Sequence, residues 1–111
     1  MIEALPTRFS DEQLHRILDE AMIYMCACPA QVASQLQALR ALHDYQRTCA
    51  DNGPLSEQVH ARIAAAARQA HAELEQCLDD VLDLEGWDTS TLSMPEGLRQ
   101  LRDQVIDSDL S

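Results

Sequence analysis

The sequence predicts an all-α domain, and three observations carry that prediction. Ala, Leu and Gln are abundant while Gly and Pro total only three and four, a helix-favouring composition. Four segments space their apolar residues by threes and fours, each with punctuation at its ends. Nothing alternates with period two over a useful length, so no sheet is expected. The predicted architecture is an antiparallel bundle of three main helices plus a short C-terminal helix. It forms a single helical domain over residues 1–111, with 1–9 an N-terminal extension and 107–111 a frayed tail.

The first helix is expected from Ser10. Gln13 three residues on completes a capping box, and Asp11 and Glu12 complement the dipole in the first turn. Leu14, Ile17, Leu18, Ala21, Met22 and Met25 make its stripe, and Pro29 stops it while also suiting the first turn of the next helix. The second helix turns Val32, Leu36, Leu39, Leu42 and Cys49 inward and ends at Asn52-Gly53-Pro54. The third runs from Ser56 through Val59, Ile63, Ala67, Ala70, Leu74, Leu78, Val81 and Leu82 to Gly86, about 28 residues and about 42 Å. Trp87 follows as a lid on the core, then a looser linker to Leu92. A second capping-box pattern at Ser93 and Glu96 opens the last helix, with Leu98, Leu101, Val105 and Ile106 as its stripe. The third helix has more apolar surface than one thin layer covers, which suggests a homodimer.

Charge narrows the partners. The 111 residues hold 19 acids against 8 bases, a net charge of -11, and every base is arginine. Such a surplus argues against nucleic acid, whose phosphates are bound by clustered Lys and Arg, and against anionic membrane surfaces. No apolar run reaches the roughly 18 residues of a membrane span. The first ten residues have no basic flank followed by a greasy core, so no secretory leader and a cytoplasmic, reducing setting are expected. Phosphate loops, dinucleotide fingerprints, nucleophile elbows and lysine chemistry all lack their residues, and no enzyme is predicted.

Acidity concentrates in the second half: residues 1–55 carry seven acids and four arginines, residues 56–111 twelve acids and four arginines. Asp79, Asp80, Asp83 and Glu85 crowd the end of the third helix, where the dipole disfavours them and Asp79 and Asp83 repel as an i,i+4 pair. Arg99 and Arg102 of the last helix folding back is one explanation. A docking face for a basic partner protein is another, and a hard cation a third. The docking face is the leading functional expectation: a small non-enzymatic interaction or regulatory protein, with no cofactor.

Four cysteines supply the alternative. Cys26 and Cys28 form a C-x-C at the first corner, and antiparallel registration brings Cys77 to the same end, with Cys49 roughly 30 Å away. Cys26, Cys28 and Cys77 are a candidate soft-metal or redox set for zinc, copper or an iron–sulfur cluster. Against this, neither paired C-x-x-C elements nor suitably spaced histidines occur, and free cysteines commonly serve as small core residues. Glu12-x-x-His15 and Glu57-x-x-His60 echo the motif of carboxylate di-metal bundles. Their histidines fall beside the apolar stripes, so solvated helix faces explain them better.

Overall fold

A computed structural model describes residues 2–21, 28–49 and 53–95. The described part is helical, with α1 at Asp11–Ala21, α2 at Cys28–Thr48 and α3 at Pro54–Glu85, and no strand among the described residues. The predicted C-terminal helix, with Arg99 and Arg102, lies outside the described residues, as does Cys26. None of the described helices is long and apolar enough to cross a membrane.

Local chemistry sets the helix ends. Ser10 Oγ accepts the Gln13 amide at 3.1 Å while Gln13 Oε1 accepts the Ser10 amide at 2.8 Å, the reciprocal capping box read from the sequence. α3 begins two residues earlier than expected, because extended Gly53 caps it and Pro54 occupies its first turn, where a missing N–H costs nothing. At its other end Gly86 takes φ 78° and donates to Asp83 O at 3.0 Å, while Trp87 N donates to Leu82 O at 2.9 Å. This pair of bonds closes the last turn through a left-handed residue that glycine adopts without a Cβ penalty.

The expected loose linker is a tight turn. Asp88 Oδ1 accepts from the Ser90 amide at 3.0 Å and the Ser90 hydroxyl at 2.6 Å. Asp88 and Ser93 pair as an isolated bridge, and Leu92 turns the chain at φ 55°. These bonds hold the Asp88 carboxyl below its ordinary range, the Ser90 hydroxyl contributing most. The turn folds Leu92 and Met94 back beside Trp87, and the buried Trp87 Nε1 donates to Glu85 Oε1 at 2.8 Å.

α2 packs against both α1 and α3, and α2 and α3 form an antiparallel hairpin. The core joins Leu14, Ile17 and Ala21 of α1 to Ala33 and Leu36 of α2 and Leu78 and Leu82 of α3. Phe9, Trp87, Leu92 and Met94 close it. Burial of each of the Leu, Ile, Phe and Met side chains among them contributes on the order of 1.5–3 kcal/mol. The segment before α1 is part of this packing, because Phe9 is 6% exposed and the amides of Arg8 and Phe9 donate to Glu75 Oε2.

Inward assignments change on both long helices. On α2 Leu42 is exposed, and Cys49 just past its end is half-buried, whereas His43 and Gln46 are buried. On α3, Val59 and Ala70 are exposed, and Ala64, Ala67, His71, Glu75, Leu78 and Leu82 form the inward line.

Candidate functional site

The inward line of the hairpin turns polar at its middle. Arg40 stands on α2 one turn beyond Leu36, and His71 and Glu75 stand one turn apart on α3. Arg40 Nε donates to His71 Nε2 at 3.0 Å, Nη1 to Asp11 Oδ1 at 2.7 Å, and Nη2 to Phe9 O at 2.6 Å and Glu75 Oε2 at 3.2 Å. One guanidinium thus ties α1, α3 and the N-terminal segment to α2, using the fork of donors that arginine alone offers. His71 accepts at Nε2, so its proton sits on Nδ1, which faces Glu75 Oε1 at 3.6 Å.

Burial pushes the His71 pKa below its ordinary 6.5, and Arg40 and His43 push the same way against the opposing pull of Glu75. The pKa of His43 is also lowered, first by burial and then by Arg47 and Arg68, with Asp44 opposing. His43 Nε2 is buried with no hydrogen-bond partner among the described residues. Both histidines are therefore held neutral in the folded chain. A lowered folded pKa means that the unfolded chain binds more protons below 6.5, so stability is fully present above that value and falls on acidification. The thermal midpoint is expected to drop between about pH 7.5 and about pH 5.5, and His43→Leu is expected to flatten that slope. An unchanged slope in H43L, followed by circular dichroism, would contradict this assignment.

The acids read from the sequence are shared among different neighbours. Asp79 pairs with Arg8 at 3.3 Å, both about half exposed, so the N-terminal segment supplies a positive charge to this end of α3. Asp80 accepts from Gln76 at 2.9 Å, and Glu85 is engaged by Trp87. Asp80 and Asp83 remain exposed. Cys28 is exposed at the start of α2 and Cys77 is half-buried on α3; both are free thiols, as is Cys49. Among the described residues no three His, Cys, Asp or Glu side chains gather into a metal-holding group. Glu12, His15 and Glu57 are exposed, and His60 Nδ1 meets Gln46 Oε1 at 2.7 Å.

A second feature is an open apolar face. Counting about 100° per residue from His71, the inward residues of α3 fall within about 40° of one line. Val59, Ile63, Ala66, Ala70, Leu74, Cys77 and Val81 fall on a second line, about 100° to one side. Arg68, Gln76 and Asp79, which meet the N-terminal segment through Glu3 and Arg8, lie on the opposite flank. On α2 the same construction puts Leu39 and Leu42 beside this second line and Arg40, which meets α1, on the far side. Leu42 is 43% and Val59 47% exposed, Ala66 and Ala70 are exposed, and Ile63, Leu74, Cys77 and Val81 are half-buried, so among the described residues the face is partly open. No family model, characterised protein or solved structure matches the chain, so its chemistry rests on this geometry.

Proposed function

We propose that this protein is a non-enzymatic interaction module acting in the cytoplasm. The Arg40 node and the N-terminal segment brace one side of a helical hairpin. The other side presents an apolar face edged by acids, which docks a basic partner protein. The observation that carries this reading is the line of exposed Leu42, Val59 and Ala70 with half-buried Ile63, beside exposed Asp80. Contiguous apolar surface rimmed by polar groups is characteristic of interaction sites. One feature supports it further. His71 is 1% exposed and committed to Arg40, so it offers no base to a substrate.

Affinity capture with the tagged chain tests the reading. Binding of a basic partner is expected to weaken on going from about 0.05 M to about 0.5 M salt, because exposed charges are screened within a shrinking Debye length. Asp80→Asn with Asp83→Asn is expected to reduce retention about fivefold to tenfold at low salt. Capture that is indifferent to salt and to both substitutions would reject an acidic docking face.

A further inference from the structure

We infer that the open face of α3 is the contact surface for a second copy of this chain, packed antiparallel about a twofold axis at Ala70. The inference rests on the interaction reading above for its apolar face, and a second copy takes the place of the basic protein as the occupant. Antiparallel placement about Ala70 sets Val59 opposite Val81, Ile63 opposite Cys77, and Ala66 opposite Leu74. Ile63 then meets the smaller Cys77 and Leu74 the smaller Ala66, and Ala70 meets its own copy at the closest approach. This is the self-complementarity that an isologous interface demands.

Charge selects the same arrangement. On the solvent side of the apolar line, the first half of α3 carries Arg62 and the second half carries Glu73 and Asp80. A parallel pair would place like charges side by side, whereas the antiparallel pair brings each half against its opposite. Arg62 comes level with the stretch just before Asp80 of the second copy, about two residues or 3 Å away along the axis. Both residues lie on the solvent side of the apolar line, are exposed, and have no ion pair among the described residues. The symmetry makes the Arg62–Asp80 pair twice. Antiparallel dipoles add to the preference. Leu39 of α2 lies near the same level, since Arg40 meets His71, so α2 extends the contact and two hairpins complete a four-helix bundle. Asp80 thereby acquires a basic neighbour from the second copy.

The mass of the full chain in solution tests the inference. Sedimentation equilibrium is expected to return twice the 12.4 kDa of one chain. Ala70→Glu, which sets two carboxylates face to face at the axis, is expected to return a monomer with unchanged helicity. Arg62→Asp is expected to raise the dimer dissociation constant about tenfold, and Arg62→Asp with Asp80→Arg to restore it. If A70E loses helicity, the charge variants decide, because positions 62 and 80 are exposed. A wild-type monomer at about 0.1 mM, where even a dissociation constant of that size leaves half the chains paired, overturns the inference. So does a dimer that A70E and R62D leave unchanged. A monomer that still captures a basic partner through Asp80 and Asp83 sinks the second copy as occupant but leaves the interaction reading standing. If neither association occurs, both fail.

Discussion

Arg40→Met is expected to lower stability by about 3 kcal/mol, one of the two largest single-residue effects in this fold. The side chains of Arg40 and Glu75 are 14% and 9% exposed, and breaking a pair this buried leaves an uncompensated charge in a poorly solvated place, at about 3–5 kcal/mol. Methionine keeps the apolar stem of the residue, so the loss reports the guanidinium and not its packing. Four acceptors lose a donor together: His71 Nε2, Asp11 Oδ1, Phe9 O and Glu75 Oε2. In a chain of this size the thermal midpoint should fall by about 10–15 °C. Asp11→Ala should cost about 0.5 kcal/mol, because that carboxylate is 74% exposed and its pair with Arg40 is screened. Replacing Glu75 by leucine as well should not rescue R40M. Glu75 Oε2 also accepts the amides of Arg8 and Phe9, and an apolar residue there orphans a buried donor. Thermal melts of the three variants check the order; equal losses for R40M and D11A would show that the node is not the brace.

Phe9→Ala carries the second large effect. Phe9 is 6% exposed and packs in the same cluster as Leu14, Leu78 and Trp87, and truncating a buried phenylalanine costs about 3–5 kcal/mol. A value near 3 kcal/mol is expected, since the site lies toward the edge of the core. The loss should be local as well as global. With its anchor gone, the Arg8 and Phe9 amides should exchange faster with solvent, which amide hydrogen exchange reads directly. Pro6→Ala, at an exposed neighbour, should stay within about 0.5 kcal/mol. If F9A melts with the wild-type midpoint, residues 2–9 are a passive extension and not a structural strap.

The helical class, the capping box at Ser10 and the stop at Gly86 were legible because each is a local code. A hydroxyl three residues from a glutamine, or a glycine after the last periodic residue, means the same thing wherever it occurs. The two faces of α3 were not legible as such. Its apolar residues follow two lines about 100° apart, one through Ala67, Leu78 and Leu82 and one through Val59, Ile63 and Ala70. A search for a single stripe merges them. The polar node was invisible for a related reason. Arg40, His43, His71 and Glu75 occupy inward positions in the three-and-four rhythm, at Leu36-x-x-x-Arg40-x-x-His43 and Ala67-x-x-x-His71-x-x-x-Glu75. An apolar pattern passes over charged residues even when their spacing is right. The turn at Asp88 had its signal in Asp88-Thr89-Ser90, the composition of an Asx turn. The strap had only the lone phenylalanine of the chain.

A symmetric disulfide tests association through the outer face of α3 most directly. Ala70→Cys in a chain whose native cysteines are alanine puts two thiols across the twofold axis, within the short Cα separation that a disulfide requires. Mild oxidation is expected to convert the protein to a covalent dimer, whereas Ala72→Cys, on the opposite flank of the same helix, should stay monomeric under identical conditions. A chain that cross-links no faster through position 70 than through position 72 would contradict the interface.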